Sequence, residues 1–81
     1  MTKQQYENMK NLITHIHFAI EDIMETYKIA ELHEDEEIQI SCETRIEEKT
    51  QQVSDLWFVV TGHHSNYITI IKKLGLYKKG T

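Results

Sequence analysis

Along the first third of the chain, apolar side chains recur at alternating steps of three and four: Tyr6, Met9, Ile13, Ile16, Ile20, Ile23, Tyr27 and Ala30. That spacing lines one face of an α-helix. Thr2 with Gln5 three residues later fits a capping box, so a long helix is expected over about residues 2–30. Leu12, Phe18, Ala19, Met24 and Ile29 widen the stripe, which predicts burial over more than a narrow seam. The eight positions also read as four a/d heptads. The flanking sites (Gln5, Leu12, Ala19 and Thr26 on one side, Lys10, His17, Met24 and Glu31 on the other) lack complementary charges, however. Packing against the rest of the chain is therefore expected over an autonomous zipper.

The period then shortens. Ile38, Ile40, Cys42, Thr44 and Ile46 alternate with Gln39, Ser41, Glu43 and Arg45, the pattern of a strand with one dry face. Leu56-Trp57-Phe58-Val59-Val60-Thr61 is aromatic and β-branched, and Tyr67-Ile68-Thr69-Ile70-Ile71 follows a short Gly62–Asn66 loop. These segments predict an α+β fold: one long N-terminal helix packed on a small two- or three-stranded antiparallel sheet, with strands at about 37–46, 54–61 and 67–73. The competing reading is an all-α three-helix domain. There Thr44 with Glu47 caps a second helix carrying Ile46, Val53, Leu56, Trp57 and Val60 inward and ending at Gly62. Ser65 caps a third ending at Gly75, with Leu76 making the apolar contact of a glycine C-cap. For residues 38–46 the alternation favours strand; for 66–74 the two readings are nearly balanced.

A sheet would have two faces to cover. The helix shields Ile38, Ile40, Cys42, Ile46, Val53, Trp57, Val59, Tyr67 and Ile71. On the other side Leu56, Phe58, Val60, Ile68 and Ile70 stay open unless Leu74, Leu76 and Tyr77 fold back over them. A patch of that size marks an interaction site, so these five residues are the expected contact with a protein partner or a second copy in a homodimer.

Composition narrows the function. Eighty-one residues, 40% apolar and 27% charged, describe one small folded domain, short enough for its core to be thin. With no Pro and three Gly there is no flexible linker. The net charge of −4 is uneven: residues 1–40 hold three lysines against nine carboxylates, and residues 41–81 have a surplus of two bases. This balance argues against a general nucleic-acid binder. The run Glu34, Asp35, Glu36, Glu37 reads as a solvated loop or an acidic docking edge for a basic partner. Lys72, Lys73, Lys78 and Lys79 give the rival reading, a nucleic-acid-binding regulator with a basic C-terminus. No apolar run approaches the roughly 18 residues of a membrane span, no secretory leader pattern follows Met1, and the single Cys42 suits a reducing cytoplasm.

No motif names a reaction. His15 and His17 point in different directions on a helix, His33 beside Glu34 and Asp35 is a weak ligand set, and His63-His64 sits in a turn. Cys42 lies in the alternating run as a small core residue, and the glycines do not form a phosphate loop. Trp57 and Phe58 lack the interleaved Lys and Arg of a base-stacking platform. The expectation is a non-catalytic protein-binding module without metal or cofactor. By analogy of size and charge it is a small acidic inhibitor or regulator, of viral or mobile-element type, that blocks a basic surface. A structural homo-oligomer subunit is a further alternative.

Overall fold

The capping box forms as the sequence predicts: the Thr2 hydroxyl accepts from the Gln5 amide at 3.1 Å, and the Gln5 side chain accepts from the Thr2 amide at 2.9 Å. It opens α1 (Lys3–Leu32) of the computed structural model, which describes residues 2–77. Of the eight periodic positions in α1, Met9, Ile13, Ile20, Ile23 and Ala30 are buried and Tyr6, Ile16 and Tyr27 are half-buried. The wider stripe is not used. Leu12, Phe18, Met24 and Ile29 are all exposed, so α1 buries a narrow seam.

The remainder is helical too, with no strand among the described residues: α2 (Glu36–Thr61) and α3 (Tyr67–Lys73) complete an all-α fold. The α+β architecture and its three strands are thereby overturned. Two effects outweigh the alternation of residues 38–46. The first is local. The Asp35 carboxylate accepts from the Ile38 amide at 3.2 Å, and Glu36 and Glu37 lie in the first turn, where the helix dipole favours acids. The second is tertiary. A 30-residue helix with an apolar seam is best covered by an antiparallel partner of similar length, and α2 supplies 26 residues. Its seam runs through Gln39, Cys42, Ile46, Lys49, Val53, Leu56, Trp57 and Val60, at helical spacing. Polar Gln39 is accommodated because its side-chain amide donates to the Ala30 carbonyl at 3.4 Å.

The helix ends follow glycine chemistry. Gly62 (φ 76°) closes α2, its amide donating to the Phe58 carbonyl at 2.8 Å. After α3, Gly75 (φ 74°) and Leu76 return amides to the carbonyls of Lys72 and Ile71, a Schellman pair. The helical alternative therefore had the right stops but not the right starts. α2 begins at Asp35, not Thr44, and α3 is capped by Asn66, whose side chain accepts from the Thr69 amide at 2.8 Å, not by Ser65. The turn between α1 and α2 is a second Schellman pair. Asp35 and Glu34 donate to the carbonyls of Ala30 and Glu31, with Glu34 itself in the left-handed region (φ 55°).

The hairpin is long and unevenly covered, with extents of 47 × 25 × 17 Å. At one end α3 lies on it, and Met9, Ile13, Val53, Trp57, Ile70, Ile71 and Leu74 form one buried cluster, with Tyr6 and Leu76 packed against it. Each such side chain is worth roughly 1.5–3 kcal/mol. The other end, toward the α1–α2 turn, is two helices thick and buries only Ile20, Ile23, Ala30 and Cys42.

Candidate functional site

The five residues expected on an open sheet face do not share a surface. Ile70 is fully buried in the cluster (0% exposed) and is no contact residue. Leu56 and Val60, one helical turn apart, are half-buried against that cluster. Phe58 points away from them on α2 and stacks on His64 with ring centroids 4.1 Å apart, while Ile68 is exposed on α3. With α2 coiled as a helix, the second sheet face does not exist.

The acidic run is a built turn rather than a loose loop. Asp35 spends its carboxylate on the N-cap, and Glu34, Glu36 and Glu37 stay exposed around it. Four apolar side chains lie within two turns of that bend and are exposed as well: Ile29, Leu32 (83%), Ile38 and Ile40 (62%). The sequence marked the acids as an edge but did not place apolar contact residues beside them. Leu32 and Ile40 become legible only once the bend at residues 33–35 is known.

Two depressions flank the hairpin. One, about 410 Å³, lies in the two-helix half between Met24, Tyr27 and Ile46 and is edged by Lys28, Glu31 and Glu43. The Tyr27 hydroxyl donates to Glu43 at 3.3 Å, and partial burial together with Glu43 and Glu31 raises its pKa. The other, about 440 Å³, lies at the three-helix end, walled by Leu12, Leu56, Val59 and Val60. Leu12 and Val59 were missed as a pair because they converge only when both segments are helical.

One polar cluster links helices. The Tyr67 hydroxyl donates to His17 Nδ1, and His17 Nε2 faces Glu21 at 2.8 Å. A ring tautomer with its proton on Nε2 donates to Glu21 and leaves Nδ1 to accept from the Tyr67 hydroxyl. Burial, with Glu21 adding to it, pushes the Tyr67 hydroxyl up to about 12. The hydroxyl is occupied by this bond, so the cluster serves as a clamp between α1 and α3. Cys42 is buried, and among the described residues no three of His, Cys, Asp and Glu converge as metal ligands would. Lys72 and Lys73 sit over the rings of Tyr77 and Trp57; Lys78 and Lys79, named for the nucleic-acid reading, lie outside the described residues. No helix among those residues is long and apolar enough to cross a membrane.

No family model matches the chain, and no curated protein or solved structure is significantly similar to it.

Proposed function

We propose that this chain is a non-catalytic protein-binding module whose α1–α2 turn takes a basic, partly apolar segment of a partner protein. One observation carries the reading: exposed Ile29, Leu32, Ile38 and Ile40 stand within two helical turns of Glu31, Glu34, Glu36 and Glu37. Apolar side chains left open at a small domain's end cost nothing to fold but gain on burial against a partner. The carboxylates around them select for a cationic partner, accelerate its approach and repel phosphate. Inhibition of a basic groove is the version of this activity that suits an acidic chain of 81 residues.

The test compares two baits in extract of the organism that makes the protein: the native chain, and Leu32→Ser combined with Glu34→Gln, Glu36→Gln and Glu37→Gln. A protein held by the native bait and released from the variant, with helicity unchanged by circular dichroism, supports the reading. Equal retention on both baits, or retention of nothing by the native chain, overturns it.

A further inference from the structure

We infer that the partner's basic segment docks as a short amphipathic helix in the groove that α3 leaves open beyond Tyr67. Its apolar side lies on Met24 and Ile46, and its cations meet Glu31 and Glu43. This rests on the reading of the acidic turn as a partner site, and adds where the segment lies and in what conformation.

The groove is defined by where α3 stops. Tyr67, the first residue of α3, bonds to His17 on α1, and with Asn66 it borders Thr50 and Ser54 on α2. Followed from His17 at alternating steps of four and three, the same side of α1 carries Glu21, Met24, Lys28 and Glu31. Followed back from Ser54, the same side of α2 carries Thr50, Ile46 and Glu43. Met24 and Ile46 line one depression with Lys28, Glu31 and Glu43, so the two stripes still border a common groove there. From His17 to Glu31 the helix rises roughly 21 Å, enough for an occupant of four turns.

At the packed end, α3 shows what this side of the hairpin accepts. It turns Ile70, Ile71 and Leu74 inward, while Lys72 and Lys73 stay outside over the rings of Tyr77 and Trp57. The open stretch offers matching features: apolar Met24 and Ile46, the ring of Tyr27, and the carboxylates of Glu31 and Glu43. The Tyr27 hydroxyl donates to Glu43 at 3.3 Å, which orients that carboxylate at the groove edge.

Charge decides the side. Along the groove Glu21, Glu31 and Glu43 outnumber Lys28. The opposite side of the same two helices has the reverse balance, with Arg45 and Lys49 against Asp22 in its depression. A cationic helix is therefore drawn to the first side and repelled from the second. Laid end to end with α3, it supplies a third layer to the thin end and reaches Glu31, which the groove shares with the acidic turn.

The probe is a fluorescein-labelled synthetic helix of about 14 residues, patterned on α3 with Leu at the inward positions and Lys on both flanks. Its anisotropy, titrated with the intact chain to about 200 μM, should show saturable binding. The same residues in scrambled order should bind about tenfold more weakly. Glu43→Lys and Met24→Lys, both at exposed positions, should each weaken the helix by about tenfold with helicity of the protein unchanged. Lys28→Gln should tighten it about threefold, whereas Lys49→Gln, on the opposite side, should leave it as it is. No saturable binding, native affinity in Glu43→Lys, or equal tightening by the two lysine substitutions overturns the inference. Loss of the peptide from the variant changed at Leu32, Glu34, Glu36 and Glu37, with the groove substitutions silent, places the segment on the turn alone; the groove then fails and the partner reading stands. A native chain that dimerises by sedimentation without peptide, and loses the dimer to Glu43→Lys, gives the groove to a second copy and also overturns it.

Discussion

At the three-helix end, Ile13, Val53 and Ile70 have no exposed surface at all, and contributions from all three helices meet in a single cluster. At the two-helix end the same two long helices bury four smaller or more peripheral side chains, and Ile38 and Ile40 face solvent. The helices are continuous between the two regions, so the difference lies in the missing third layer. A helical pair alone offers one seam; a third element lets side chains be surrounded. Residues near the α1–α2 turn are held helical largely by propagation from the packed end and by their caps.

Removing side chains should expose this asymmetry most directly. Ile13→Ala is expected to cost about 3–4 kcal/mol, and Ile23→Ala, which loses the same atoms at the thin end, about 2 kcal/mol. Urea unfolding followed by Trp57 fluorescence and circular dichroism measures both; equal costs would erase the distinction between the ends. The backbone gives a second contrast. Nothing lies within 4 Å of where a Cβ at Gly75 would stand, so Gly75→Ala carries only its left-handed strain, about 1 kcal/mol. At the other end Glu34 already bears that strain, and Glu34→Gly should stabilise by somewhat under 1 kcal/mol in thermal melts.

Burial of the Tyr67 hydroxyl, with Glu21 nearby, makes the stability of the α3 end depend on pH. The folded hydroxyl titrates near 12 against an ordinary 10.0, so the neutral phenol is favoured by folding. Its contribution is complete below pH 10 and is lost as the pH rises toward 12. With solvent screening of a half-exposed ring, the loss amounts to about 1 kcal/mol. Stability measured across that interval should fall in the native chain and stay flatter in Tyr67→Phe. Smallest of all, Leu32→Ser should change stability by less than about 0.5 kcal/mol, since its side chain touches little; a larger loss would mean that the acidic turn belongs to the core.

The first helix was legible because every seam position is apolar and its cap is spelled out by Thr2 and Gln5. The second was not, for a reason visible in its residues. Gln39 and Lys49 occupy seam positions, while Ile38 and Ile40 are apolar but exposed, so the shorter period dominated the pattern. The stops at Gly62 and Gly75 were readable, since left-handed geometry demands a residue without Cβ. The cap by Asp35 is hidden inside the run Glu34, Asp35, Glu36, Glu37, whose neighbouring carboxylates offer the same kind of acceptor. Of the candidate site, the run of acids is visible in the sequence, whereas the turn that bends it is not. The pairing of Leu12 with Val59 required knowing the register of two helices.

Tyr6 and Leu76 pack against the same cluster, so the chain enters and leaves the molecule at one pole. Anything tethered there, whether a surface, a dye or a fused domain, holds the bend at Glu34 outward like the tip of a stylus. Crowding at the anchored pole then leaves that tip untouched, and the spacing between anchor and tip is set by the length of the helices.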